Sequence, residues 1–341
     1  MDLDTLHKGR QTIVFDRHPV ILAHSAIAGK KESEGPLAGF FDHTETDTRF
    51  GQKTWEKAET RLQELALDTA RSKAQLQYSD LDVLFAGDLL NQCISSAFAI
   101  RDTRIPFLGL YGACSTMAES LTLAAAAVNA GYAARAAALT SSHFATAERQ
   151  YRFPLGYGGQ RTPTAQWTVT GSGCCIVASG GRGPYLNCAT IGRIEDYGIK
   201  DANNMGAAMA PAAYSTLRAH FADTGLRPQD YDLIVTGDLG TLGSTIVTDL
   251  FQRDGVEFGA NYRDCGVLIY DLKRQDVHAG GSGCGCGASV LCGYLLRQLR
   301  EKKINSLLFC ATGALMSPVS TWQGESIPAI CHAISISNER R

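Results

Sequence analysis

No stretch of this chain stays apolar for the length of a bilayer. The longest candidate, Leu121 to Leu139, is interrupted by Asn129, Gly131 and Arg135, and it divides into a helix and a strand rather than one span. The opening residues, Met1-Asp2-Leu3-Asp4, lack the basic start and apolar core of a signal peptide. Neither sign of charge is in excess. The 32 Lys and Arg stand against 34 Asp and Glu, for a formal charge of −2, which leaves no basic footprint for nucleic acid. Blocks of like charge that would mark an interaction tail are missing. No Gly-Lys-Ser/Thr occurs, so the glycine-rich segments are not a Walker phosphate loop. Zinc-type spacing is also lacking. Cys284-Gly285-Cys286 holds one residue between its thiols, with no second pair at ribbon distance. The expectation is a protein without a transmembrane segment, cofactor or resident metal, and any membrane association would come through a partner.

What is present is the composition of a well-packed globular protein. Hydrophobic residues make up 45% and charged residues 19% of 341, ample for a large core. The 11 cysteines are scattered, several in apolar runs, which reads as reduced thiols in a cytoplasmic protein. Strand and helix patterns alternate. Trp55, Ala58, Leu62, Leu65, Ala66, Thr69 and Ala70 recur at three and four spacing within 53–77, a helix with Thr54 as its N-cap. Leu81 to Ala86 and Phe107 to Tyr111 are short apolar runs suited to buried strands. Thr116 and Glu119 have capping-box spacing at the head of a helix that Gly131 ends. The succession predicts an α/β protein with a central, mainly parallel sheet.

The grammar then repeats. "DLDVLFAGDL" at 80–89 matches "DYDLIVTGDL" at 230–239, an offset of 150 that pairs Asp88 with Asp238. At an offset of 170, Cys114 pairs with Cys284, each expected to open a helix. Two matches in the same order favour a duplicated unit. The expected halves are 1–182 and 183–341, joined at the Gly/Pro-rich break near Gly180 to Pro184. In open α/β sheets, ligands bind beyond the carboxyl ends of strands. Those ends carry Asp88, Cys114, His143, Asp238 and Cys284.

Each candidate has a chemical and a structural reading. Cys114 sits in "LYGACSTMAESL" at 110–121. A thiol at a helix mouth is favoured as thiolate and could be a nucleophile; a small residue filling a strand–helix corner is the alternative. His143 opens a stretch that also holds Glu148, Arg149, Arg152 and Arg161 with Tyr151 and Tyr157, a composition suited to a planar carboxylate, or to a solvated loop. Asp88 and Asp238 read as helix N-caps or as ligand or interface residues. The glycines of 278–291 either offer amides to an anion or allow close packing. Lys30 and Lys31 lie in a segment expected to be flexible, able to close over the site or simply solvated.

"GACSTMAES" and "WTVTGSGCCIVAS" resemble elements of the thiolase and ketoacyl synthase superfamily. That resemblance implies two duplicated α/β halves with pseudo-two-fold symmetry in α-β-α-β-α layers. "AGDLLNQ", "TSSHFATAERQYRFP", "YGGQRTPTA", "MAPAA", "DCGVLIY", "AGGSGCGC" and "ATGALMSP" together resemble the stage V sporulation protein AD family. This second resemblance implies a binding protein for dipicolinic acid, free or as its calcium chelate, acting in uptake into spores and release during germination. The implied partners are other stage V sporulation A membrane proteins and a second copy of the chain, with a peripheral place at the spore inner membrane. Where thiolases carry Gly-His-Pro this chain has Gly283-Cys284-Gly285, and where ketoacyl synthases carry a histidine it has Asp238. Cys114 would then be a vestigial nucleophile, with His143 the histidine left to assist it. His143, Arg149 and Arg152 would contact the anion, and Asp88, Cys114, Asp238 and Cys284 would line the pocket. The competing expectation is an acyltransferase using Cys114.

Overall fold

The structure, a computed structural model, describes residues 6–151 and 161–340. Ten core strands carry the architecture: β1 Val20–Ala28, β2 Val83–Gly87, β3 Phe107–Gly109, β4 Arg135–Ser142, β5 Gly171–Ala178, β6 Tyr185–Thr190, β7 Leu233–Thr236, β8 Tyr262–Asp264, β9 Ser306–Ala314 and β10 Ala329–Ser337. Their order across the sheet is β8-β7-β9-β10-β6-β1-β5-β4-β2-β3. Reading outwards from the middle, the first five strands and the second five follow the same order. The directions repeat as well. β2 is parallel to β3 and β4, while β5 is antiparallel to β4 and β1; β7 is parallel to β8 and β9, while β10 is antiparallel to β9 and β6. The two sets meet at one residue pair, Tyr185 with Val20.

The sheet is therefore mixed rather than mainly parallel. β5 and β10 each return beside the preceding strand without a crossover across the sheet, so they run against both neighbours. β3 is not a buried strand either. It lies at the sheet edge, with Leu108 56% exposed.

The principal helices are α1 Trp55–Lys73, α2 Ile94–Ile100, α3 Thr116–Ala130, α4 Phe144–Tyr151, α5 Met205–Thr224, α6 Gly240–Arg253 and α7 Cys284–Ser289, the last continuing through a π turn, Val290–Leu295, to Arg300. They form three layers with the two five-strand sets, which pack as two sheets joined among the core strands only at Tyr185 with Val20. Strand alternation shows how. In β4, Ala136 and Ala138 face inward and Ala137 and Leu139 outward; in β9, Leu307 and Phe309 face inward and Leu308 and Cys310 outward. The inward set of both sheets buries against Met117, Leu121, Ala124 and Val128 of α3 and against Leu291, Leu295 and Leu299 of the α7 continuation. The outward faces are covered by Ala58, Leu62 and Ala66 of α1 and by Met209, Ala213 and Leu217 of α5. With both faces of each sheet covered, strands read as continuous apolar runs. Truncating a fully buried Leu62 or Leu121 to Ala would cost about 2–5 kcal/mol.

Thr54 caps α1 as expected, its Oγ1 accepting from Lys57 N at 3.3 Å. Thr116 and Glu119 do not form a capping box. Ala113–Ser115 already makes a 3-10 turn, so Thr116 lies inside the helix and donates back to Ala113 O at 2.7 Å. Lys30 and Lys31 belong to a short helix, Lys30–Ser33, and Lys31 Nζ rests 3.8 Å from the Trp167 ring centroid. None of the helices is long and apolar enough to cross a membrane, among the described residues.

Candidate functional site

β3 ends at Gly109, and the chain turns sharply before α3. Ala113 takes φ +50, a conformation that non-glycine residues rarely adopt. The turn is held by hydroxyls: Ser115 Oγ donates to Gly112 O at 2.7 Å, and Gly112 N donates to Thr116 Oγ1 at 3.2 Å. Gly313 of β9 passes so near that a Cβ there would stand 2.2 Å from Gly112 O. Cys114 sits on this turn, buried, with its thiol directed across to the second half of the chain.

There it meets Asp238, just past β7. Asp238 Oδ2 accepts from Gly283 N at 2.9 Å and Ser282 Oγ at 3.5 Å; Oδ1 accepts from Thr312 Oγ1 at 2.8 Å. The Cys114 thiol lies within the field of the same carboxylate. Burial first, and then the negative charge of Asp238, push this thiol well above the usual cysteine range. The thiolate expected from a helix mouth is thus reversed. The sulfur faces an anion in a dry interior, and that outweighs the helix dipole, which is worth only about 0.3–1 kcal/mol.

Cys284 opens α7 in the place corresponding to Cys114, but it does not follow its third strand directly. The short helix Cys265–Leu268 and the strand Gly281–Ser282 intervene after β8. Its thiol is fully buried, is also pushed up by burial, and donates to Ser141 O at 2.8 Å. The glycine-rich turn is a packing device. Gly283 N serves Asp238 and Gly285 N serves Ser142 Oγ, and a Cβ on Gly285 would stand 2.4 Å from Gly171 O.

Asp88 lies beyond β2, fully buried. Its Oδ1 accepts from Leu90 N at 2.9 Å and its Oδ2 from Ser96 N at 2.8 Å and Ser96 Oγ at 2.6 Å. It fastens the turn that leads into α2 and does not touch the cavity. His143 follows β4 and is turned away from Cys114. Its Nδ1 accepts from Ala145 N at 3.1 Å, so Nε2 carries the hydrogen and donates to Thr48 O at 2.8 Å. The ring leans on Trp55, and burial lowers its pKa. A neutral ring with both nitrogens engaged offers no base to Cys114. Arg149 is about half exposed on α4 and pairs with Glu56, facing an outer groove with Asn91 and Ile94. Arg152 and Tyr157 lie outside the described residues.

The cavity over Cys114 has a volume of about 30 Å³, lined by Tyr111, Cys114, Glu148, Tyr151, Met205 and Met316 among others. Tyr151 donates to Leu89 O at 2.5 Å, so Tyr111 must donate to Tyr151 across their 2.6 Å contact. Burial raises both phenols, Tyr111 to about 12. Glu148 Oε1 accepts from Arg161 Nη2 at 2.9 Å and from Thr168 Oγ1 at 3.0 Å. The Arg161 guanidinium stands 4.6 Å from the Trp167 ring, which stacks on Phe144 at 3.9 Å. Sequence spacing named Arg161 and Glu148 only as members of a charged stretch. Their pairing at the rim, and the two methionines from distant segments, had no local signal.

Residues 9–337 match the model of stage V sporulation protein AD. The chain belongs to that family. It is 47% identical over 327 residues to stage V sporulation protein AD of Bacillus subtilis (strain 168), with 96% of each chain covered. Among solved structures it is similar to 3-oxoacyl-[acyl-carrier-protein] synthase III from Aquifex aeolicus VF5, with a TM-score of 0.58 and 12% identity over 94% of this chain and 99% of that one. It is also similar to cerulenin-bound OleA from Xanthomonas campestris, with a TM-score of 0.61 and 13% identity over 95% of this chain and 97% of that one. These likenesses establish a thiolase-like fold. The chain is a sporulation-family protein on that scaffold.

Proposed function

We propose that this protein is a non-enzymatic binding protein for dipicolinic acid, acting with membrane proteins of the stage V sporulation A group. The observation that carries the reading is the state of Cys114. An acyl-transferring thiol needs a base that withdraws its proton. Here burial and then the negative charge of Asp238 raise the thiol's pKa, and His143 is bonded elsewhere. The crevice keeps its shape while its nucleophile is held protonated.

The rim favours a planar acid. Arg161 offers a guanidinium stacked on Trp167 and paired with Glu148, and Glu148 lines the cavity together with Tyr111 and Tyr151. Glu148 faces the same space, so a dianion needs its charge offset, by Arg161 or by calcium carried with the ligand. A cavity of about 30 Å³ holds roughly one water, so entry of a ring requires Tyr151 and Met316 to move apart. The exposed edge of β3, at Leu108, is where a second copy would add.

The test is calorimetric titration of dipicolinate, with and without calcium, against wild type, Arg161→Gln, Tyr151→Phe and Arg149→Ala. Arg161→Gln should weaken binding about thirtyfold, the loss of one charge-assisted contact worth on the order of 2 kcal/mol. Tyr151→Phe should weaken it less, and Arg149→Ala should bind as wild type. Absence of heat and of a thermal shift at millimolar ligand would remove the reading. A stable acyl adduct on Cys114 after incubation with acetyl-coenzyme A would replace it with the acyltransferase.

A further inference from the structure

The chain as a whole is slightly acidic, at −2, yet its charge is not evenly spread. Arg17, Arg135, Arg182, Arg300, Lys302 and Arg340 gather at the end of the molecule remote from Cys114. β4 starts there at Arg135 and runs toward the cavity end, a span of roughly 25 Å at 3.3 Å per residue. β1 and β6 start at the same end, at Val20 and Tyr185, and β5 and β10 finish there.

Contacts tie the six into one surface. The Arg17 guanidinium lies against Gly131, where a Cβ would be 2.9 Å from Nη1. Ser179 N donates to Ala134 O at 3.0 Å, bringing the turn that carries Arg182 beside Arg135. Arg340 stands 5.2 Å over the Tyr185 ring. Arg300 Nη2 donates to Leu22 O at 2.9 Å, and Asn338 Nδ2 donates to Leu299 O at 2.9 Å, which joins the chain terminus to the turn holding Lys302.

None of the six forms an ion pair with a described carboxylate. The acids of this end are Asp16, Asp80, Asp82, Asp230, Asp232, Glu301 and Glu339, and most are engaged. Asp80 accepts from Gln77 N, Asp230 from Arg227 N, and Asp232 from Asn305 N and Ser306 N. Asp16 accepts from Asn129, Asp82 accepts from Ala134 N and Arg135 N, and Glu301 pairs with Arg297 and Lys303. Arg17, Arg182, Arg300, Lys302 and Arg340 are exposed, and Tyr132 projects beside Arg17 at 87% exposure.

We propose that this end seats the protein on an anionic lipid surface, with headgroup phosphates as the ligand. Clustered Lys and Arg side chains are attracted to acidic headgroups, by about fivefold in affinity for each, and an exposed tyrosine suits the membrane–water interface. A protein partner would favour an apolar centre with a polar rim, whereas this surface is charged across its width. The inference adds a surface to the membrane association proposed above. It does not depend on what fills the cavity, because the two ends are probed by different measurements.

The experiment is vesicle flotation of the full chain. Phosphatidylcholine vesicles are compared with an equimolar mixture of phosphatidylcholine and phosphatidylglycerol. The protein should float with the anionic vesicles alone and be released in about 1 M salt, where the screening length is about 3 Å. The triple variant Arg17→Gln, Arg182→Gln, Arg340→Gln should bind about a hundredfold more weakly, with an unchanged melting temperature and unchanged dipicolinate titration. A control at the other exposed faces, Arg193→Gln with Arg253→Gln, should bind as wild type. Soluble glycerophosphate at matched phosphate concentration should not displace the protein, as it would if the site took a single free phosphate. Equal flotation with both vesicle types, no flotation at all, or anionic binding that survives the triple substitution would each overturn the proposal.

Discussion

Asp88 and Asp238 stand at the same point in two copies of one strand–turn unit, and their carboxylates have diverged completely. Asp88 bonds inside its own half, to Leu90 and Ser96, and holds the entry to α2. Asp238 reaches the strand before α7 and the Cys114 thiol of the other half. The local task that Asp88 performs has passed in the second half to Asp264, which accepts from Leu239 N at 2.8 Å and Gly240 N at 3.0 Å. With Asp264 in the structural role, Asp238 bonds to Gly283 N and Thr312 Oγ1 behind the cavity. Duplication preserved the position of the residue and not its partners.

The contrast can be broken most severely at the closest packing of the second half. Gly285→Ala should destabilise the fold by about 3 kcal/mol or more in urea denaturation, because the new methyl would meet Gly171 O and Ser142 Oγ. In an open helix the same change would be mildly stabilising, so a neutral result would mean that α7 is not pressed on the first half as described. Asp88→Ala should cost about 2 kcal/mol, since it leaves the buried amides of Leu90 and Ser96 without their acceptor, while alkylation of Cys114 stays at its wild-type rate. Asp238→Asn should act in the opposite sense on reactivity. With the negative neighbour gone, the Cys114 thiol pKa falls, the pH profile of iodoacetamide alkylation moves to lower pH, and the rate at pH 8 rises about tenfold, the equivalent of about 1.4 kcal/mol. Peptide mapping should find Cys284 unmodified in every variant. If Asp238→Asn leaves the Cys114 profile in place, burial alone sets that pKa and the two aspartates differ less than the geometry implies.

Much of the fold was legible before any coordinates. The 3.6-residue recurrence around Leu62 and the Thr54 cap placed α1, and the echo of "DLDVLFAGDL" placed β2 and β7 in equivalent positions, because both signals are local or repeat locally. The misplaced features depend on which neighbour a strand finds. Leu108 and its flanks carry the composition of a buried strand, yet β3 has a partner on one side only. β5 reads like any apolar strand, and its antiparallel direction comes from its return path. For the site, Cys114 was evident from its turn, but the sign of its pKa shift was not. Depth and the approach of Asp238, more than a hundred positions away, decide it, and spacing encodes neither. His143 was a reasonable base by position and is disqualified by two hydrogen bonds to Ala145 and Thr48 that no pattern announces.

The halves share strand partners at Tyr185 with Val20, at Thr12–Val14 with Cys188–Thr190 and at Trp167–Thr168 with Gly281–Ser282, and α3 and the α7 continuation lie back to back between the two sets of strands, each helping to cover the other's half. Neither copy therefore encloses an interior by itself. A polypeptide ending near Gly180 would present the apolar flank of α3 to solvent, and one beginning at Pro184 would do the same with Leu291, Leu295 and Leu299. Produced separately, the two fragments should be insoluble; produced together, they should recover each other as a complementing pair. The segment 179–184 thus acts as a tether: it holds each half at the high effective concentration at which the other can cover its inner helix.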